Sequence, residues 1–368
     1  MDPYGIPFWV LIISVISLAV AVISRPFSSY MKFIYPNAKY ESMGNPYIRR
    51  RKISEIIDTK DVDSFKENLN TSKDYDIKGE MVSDIQKSLD DSFIENVEMM
   101  KKDSSKKMHP FLNAYLEKMD LHVIKKFLRD KIKKSEIDEK ILDEINSSKN
   151  LDFLNELLGV KGEEITLVLK RYGYEKLSAY LKEEKKPDFL KINSLVDKKF
   201  LEDLENVEVP YKCEKAKNNL IKIMIDNINI KNVLRALKMG YNVESIKNMF
   251  LKEGREIRRW KYNEMAESES VSQAVSALEG TRYYDAIKES IERYNKEKSV
   301  QVLELALDKN FLNRIKDISQ QNYTTIGPTL RFLISKEFEI RNLKIVVKGI
   351  AENLSSENIK KYMVTEET

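Results

Sequence analysis

"IDNINIKNVLRALKMG" (Ile225–Gly240) decides how this chain is read, because close variants of it stand on either side. Upstream is "MDLHVIKKFLRDKI" (Met119–Ile132) and downstream "FEIRNLKIVVKGI" (Phe338–Ile350). Ile230, Val233, Leu234 and Leu237 recur at helical spacing, while Lys231, Arg235 and Lys238 form the adjacent polar stripe. Ile124, Phe127 and Leu128, with Lys125 and Arg129, repeat that pattern at an interval of 106 residues (Ile124 to Ile230). The downstream copy aligns Ile340 with Ile230 and Arg341 with Lys231, an interval of 110 residues. Near-equal intervals imply three related helical units: lobe 1 over 36–135, lobe 2 over 136–245 and lobe 3 over 246–368, after an N-terminal segment 1–35.

Asp226 stands one turn before Ile230, at the edge of the apolar face, and Asp120 does the same. A carboxylate placed there needs a hydrogen-bond donor or loses several kcal/mol, roughly, on desolvation. The expected partner is an Arg or Lys from a neighbouring helix. In the third copy Lys336 takes that register and the acids move to Glu337 and Glu339. Asp120, Arg129, Asp226, Arg235, Glu339 and Arg341 are therefore read as a structural repeat signature. A leucine followed by a tyrosine precedes each signature helix, in "FKENLNTSKDY" (Phe65–Tyr75), "LVLKRYGYEKL" (Leu167–Leu177) and "VSALEGTRYYDAI" (Val275–Ile287).

Composition agrees with an all-α class: only 11 Gly and 9 Pro interrupt 368 residues, and 42% of them are hydrophobic. Sixty-three basic against 59 acidic side chains leave a net charge of +4, too balanced for a nucleic-acid binder. The runs "RRRK" (Arg49–Lys52) and "KKDSSKK" (Lys101–Lys107) read as solvated faces. A single cysteine, Cys213, excludes an internal disulfide.

"IPFWVLIISVISLAVAVI" (Ile6–Ile23) is 18 residues without a charge. As a helix it would be about 27 Å long, close to a bilayer's hydrocarbon thickness. Tyr4, Trp9, Phe27 and Tyr30 flank it, and Arg25, Lys32, Lys39 and Arg49–Arg51 follow it. The reading is a transmembrane helix, a single-pass anchor in the cell membrane with the body on the cytoplasmic side. Ala19-Val20-Ala21 resembles a signal cleavage site, but a signal peptide wants an early positive charge and only Asp2 is present.

No catalytic chemistry emerges. His109 and His122 are the only histidines and lie far from Cys213 in sequence. No metal-ligand spacing and no phosphate-cradling glycine loop occur, so no catalytic residue, metal or cofactor is assigned.

"PNAKYESMGNPYIRRRKISEIIDTKDVDSFKENL" (Pro36–Leu69), the opening phrase and "KEFEIRNLKIVVKGI" (Lys336–Ile350) resemble the C subunit of archaeal-type and vacuolar-type ATP synthases, equivalent to the d subunit of eukaryotic vacuolar ATPases. The resemblance spans about 36–364. It implies three lobes around a pseudo-threefold axis forming a funnel, seated on the membrane proteolipid ring and receiving the D and F subunits of the central stalk. It further implies a non-catalytic rotor connector, coupling proton or sodium transport to ATP synthesis or hydrolysis. The N-terminal span goes beyond the family pattern; residues 6–23 would meet the lipid bilayer or the opening of the ring. The alternative is an unrelated membrane-tethered helical repeat scaffold.

Overall fold

The computed structural model describes residues 5–72 and 74–366. Asp2 and Tyr4 lie outside the described residues, as do the side chains of Ile6, Pro7, Arg25, Pro26, Ser28 and Ser29. Among the described residues the chain is all-helical, with one isolated bridge between Arg49 and Glu366 and no strand.

Seven helices of 18 residues or more organise the described residues: α1 (Ile6–Met43), α2 (Val82–Asp103), α3 (His109–Lys133), α4 (Phe189–Asn206), α5 (Glu214–Lys238), α6 (Gln301–Gln321) and α7 (Gly327–Ala351). The opening phrase falls on α5 and its relatives on α3 and α7. Short connections join α2 to α3, α4 to α5 and α6 to α7, making three hairpins. Each of α2 to α6 packs on the next, and α7 packs back on α2, so six helices close into a ring.

The ring has two unlike ends. At the hairpin end Phe111, Leu112 and Tyr115 of α3, Phe200 and Leu204 of α4, Leu220 and Ile221 of α5, Phe311 and Ile315 of α6, and Leu330 of α7 share one core. At the other end the helices part. The C-terminal half of α3 and the first part of α4 enclose a separate core with the short helices Ser148–Gly159, Glu164–Arg171 and Glu175–Glu183. The C-terminal half of α5 and the start of α6 do likewise with the short helices between Val243 and Glu297. The C-terminal half of α7 and the first half of α2 pack with Arg50–Ile57 and Val62–Asn70. The last helix of the ring is thus completed by the first part of the chain. Glu366 reinforces this closure, its N–H donating to the Ile48 carbonyl at 2.8 Å.

Helix α1 stands apart. Its 38 residues form a rod of about 57 Å, of which only the C-terminal end is docked. There Asn37 donates to the carbonyls of Tyr323 and Thr325 and accepts from the Thr329 hydroxyl, which satisfies its whole amide. Tyr40 stacks on Phe332 with ring centroids 4.8 Å apart, and Lys39 pairs with Asp103 at 2.8 Å. All these partners belong to the hairpin end. Further out the rod is bare: Leu11 is 63%, Leu18 67% and Ile23 76% exposed. Among the described residues no helix is long and apolar enough to cross a membrane, so the structure alone does not supply the expected transmembrane helix.

Candidate functional site

Between the parted helix ends opens a cavity of about 850 Å³. Asp90 and Phe93 of α2, Met119 and His122 of α3, Gln301 of α6, and the Glu337–Lys348 face of α7 line it. Helical spacing puts Glu337, Arg341, Lys344 and Lys348 on one face of α7. Most of the charges are paired across helices: Lys344 with Asp90 at 2.6 Å, Arg341 with Asp308 at 2.7 Å, and Lys118 with Glu337 at 2.7 Å. The buried Tyr115 hydroxyl also donates to Glu337, and burial, then that carboxylate, push its pKa well up. Such a lining offers alternating signs to a charged partner. Cys213 is buried, its thiol pushed up to about 12 chiefly by burial. Among the described residues no three metal-ligating side chains cluster.

Of the signature residues only Arg341 lines the cavity. The three acids lie behind it, fully buried. Asp120 accepts from the main-chain N–H groups of Asn146 and Ser147 and from the amides of Asn146 and Asn150, at 2.8–3.1 Å. Asp226 accepts from the N–H groups of Arg255, Glu256 and Ile257 and from the Tyr283 hydroxyl, at 2.9–3.0 Å. Glu339 accepts from the Tyr47 N–H at 3.0 Å, the Tyr75 hydroxyl and Lys336. The expectation of an Arg or Lys from a neighbouring helix is therefore corrected. The donors are chiefly loop backbone N–H groups, with asparagine amides and tyrosine hydroxyls, which dock an irregular segment on each signature helix.

The tyrosines flagged before each signature helix acquire a role here. Tyr75 and Tyr283 donate to Glu339 and Asp226, whereas the pKa of Tyr174 is raised by burial first and then by the charges of Asp203, Glu117 and Asp120. Each ring face carries a cation: Lys336 over Tyr75 at 5.5 Å, Lys199 over Tyr174 at 5.6 Å and Arg314 over Tyr283 at 4.9 Å. Arg314 does come from a neighbouring helix, but it pairs with Glu256 at 2.7 Å and acts on Asp226 by its charge rather than by a direct bond.

These contacts shift the third copy's register. Placing Glu339 on Asp226 gives an interval of 113 residues and sets Lys344, not Arg341, on Lys231 and Lys125. Each of those lysines pairs with an aspartate on the facing helix: Lys125 with Asp197 and Lys231 with Asp308 at 2.5 Å, Lys344 with Asp90 at 2.6 Å. The same register sets Asn342 on Asn229. Each is buried and pairs through both amide atoms with the main chain, of Leu251 and Lys252 or of Val364. The aspartates escape the sequence reading although they carry their own signal: Leu89-Asp90-x-x-Phe93, Val196-Asp197-x-x-Phe200 and Leu307-Asp308-x-x-Phe311. Arg129 and Arg235 do not match in contact. Arg235 makes a forked pair with Glu304 at 2.6 and 2.7 Å, whereas Arg129 reaches only Asp130 at 3.5 Å.

Residues 36–362 match the model of the ATP synthase (C/AC39) subunit family. The chain belongs to that family. Similar proteins include the C subunit of the A-type ATP synthase of Methanothermobacter thermautotrophicus, 28% identical over 94% of this chain and 91% of that one. Those of Methanosphaera stadtmanae (26%; 96% and 94%) and Pyrococcus furiosus (28%; 91% and 90%) are comparable. The family is a structural, non-catalytic part of its complex.

Two substitutions test the anchors. A Cβ on Gly254 would lie 1.8 Å from Asp226 Oδ1, so Gly254→Ala must push the 254–257 loop off its carboxylate. It is expected to cost about 1–3 kcal/mol in a chemical denaturation series. Burial acts to raise the pKa of Asp308, but Lys231 and Arg341 together outweigh it and hold the carboxyl below its ordinary value. A depressed acid stabilises the fold above its unfolded pKa, near 4, and loses that contribution as pH falls through the folded value. Asp308→Asn should therefore be less stable than the parent by about 1–2 kcal/mol at pH 7, with the gap narrowing at pH 3.

Proposed function

We propose that this chain is the rotor connector of an A/V-type ATP synthase, joining the central stalk to the membrane proteolipid ring. The observation that carries this reading is the separation of two unlike ends. The cavity opens between parted helix ends with a lining of mixed charge, and the bare apolar rod of α1 leaves from the opposite, hairpin end. A connector needs both: a socket for a shaft and a base on a membrane.

In this reading the foot of the central stalk, its D and F subunits, enters the cavity, where alternating charges fix its register and resist slippage. The hairpin end faces the ring, and residues 6–23 of α1 enter the bilayer or the ring opening, with the body on the cytoplasmic side. The support is that the helix presents Phe8 to Ile23 to solvent on nearly every face. Buried, each such side chain would contribute roughly 1.5–3 kcal/mol. The body is then three lobes about a pseudo-threefold axis, a funnel whose boundaries follow contacts rather than chain order. Each lobe is a signature helix, the short helices its buried acid docks, and the long helix its lysine grips. The third lobe joins α7 to residues 44–103. Coupling of proton or sodium flow to ATP synthesis or hydrolysis passes through this body as torque.

The chain, tagged at its C-terminus, should bring down the D and F subunits and the proteolipid from detergent-solubilised membranes, identified by mass. Cysteines at Ser14 and Ser17, both solvent-facing, should cross-link to the proteolipid. Recovery without stalk or ring proteins would end the connector reading. Cross-links confined to lipid or peripheral proteins would end the placement of α1 in the ring opening.

A further inference from the structure

A second open cavity, about 750 Å³, lies away from the first, at the outer edge of the lobe built on α3. Its floor is aliphatic: Ile132, Ile137, Leu158, Ile165 and Leu181, each partly buried. Its rim is basic. Lys131 and Lys134 come from the end of α3, Lys161 from the loop after Ser148–Gly159, and Lys185 from the segment after Glu175–Glu183; the one rim acid is Glu184.

Three helix C-termini converge here, and lysines commonly serve such ends. Only Lys131 does so through a contact, donating to the Leu158 carbonyl at 2.8 Å. The side chains of Lys134, Lys161 and Lys185 are exposed, and none of them makes an ion pair among the described residues. The interhelix lysines Lys125, Lys231 and Lys344 are each matched to an aspartate; the three at this rim are not. Burial, and then the charge of Lys161, lower the pKa of Lys131.

We infer that this groove docks an amphipathic helix of a protein partner, apolar on one face and acidic on both flanks. The aliphatic floor is of a size to receive the apolar side chains of such a helix. Four ammonium groups supplied by three chain segments call for several carboxylates around the floor. A single anionic headgroup would leave most of them unmatched. The site is separate from the central cavity and does not depend on the connector reading.

The test uses the full chain and a fluorescein-labelled synthetic 18-residue helix with Leu at i, i+3, i+4 and i+7 and Glu on both flanks, followed by anisotropy. The expected result is saturable binding that weakens as salt is raised. It should fall at least about tenfold in K161E/K185E and in the milder K161Q/K185Q, which keeps the test readable should charge reversal disturb folding. A peptide with Lys in place of Glu should prefer K161E/K185E. No binding to the parent chain, or equal binding to the parent and K161Q/K185Q, overturns the proposal. So does full displacement of the peptide by dodecanoate or anionic vesicles, which would assign the groove to an anionic amphiphile.

Discussion

An ionised carboxylate moved out of water forfeits its hydration, and within a helical bundle the replacement must come from donors that the helices do not already use. Asp120, Asp226 and Glu339 meet that demand with loop N–H groups, asparagine amides and tyrosine hydroxyls. The bonding works in both directions, since those N–H groups belong to irregular segments that lack ladder partners of their own. Each acid therefore converts a floppy connection into a docked one. The balance differs with surroundings. Burial leaves the Asp226 carboxyl with a raised pKa even against the N–H groups of Glu256 and Ile257 and the Tyr283 hydroxyl. Its ionised form is thus held at some expense in stability, which falls as pH rises from the ordinary aspartate value towards the folded one. Asp308, between Lys231 and Arg341, has the opposite sign.

In the third copy the same device does something the other two do not. Glu339 reaches Tyr47 and Tyr75, 292 and 264 residues away in the chain. Lys344 reaches Asp90 and Asn37 reaches the 323–329 turn. A repeat that runs signature helix, short helices, long helix is cut so that its signature helix comes last and the remainder first. Closing it couples the two ends of the chain, and the loop-closure entropy of that coupling has to be offset by contacts. Two large stretches of buried apolar surface, on α7 and on the elements between Pro46 and Asp103, are in place to do so.

Much of this is legible in the sequence, and the misreadings have physical causes. Apolar spacing alone reveals the helical class and the shared pattern of α3, α5 and α7, because core faces are written at a fixed period. The third register goes astray by three residues because Lys336, Glu337 and Glu339 crowd one turn, and three residues is nearly one turn of helix: apolar positions still match apolar ones after the slip. Only partners discriminate, and they lie far off in sequence. The donor to Asp226 is misjudged for a related reason, since main-chain N–H groups have no signature among residue types. The lysine–aspartate pairs are hidden differently: the Asp-x-x-Phe phrases recur, but on helices whose other residues vary. For the N-terminal segment the sequence shows an uncharged run, and the structure adds that nothing in the body covers it.

A closed ring of helices differs mechanically from an open stack. If one helix in an open stack slides, only one interface has to yield. In a ring, twisting one end against the other shears every interface together, and each of the α2–α7, α3–α4 and α5–α6 interfaces is pinned by a lysine–aspartate pair close to a buried aromatic anchor, Phe93, Phe200 or Phe311. Dense packing makes each interface resist small displacements steeply. Stiffness of this kind requires no one strong contact. It follows from having no free edge, which explains why the chain keeps its last long helix for the position where the first part of the chain leaves the ring open.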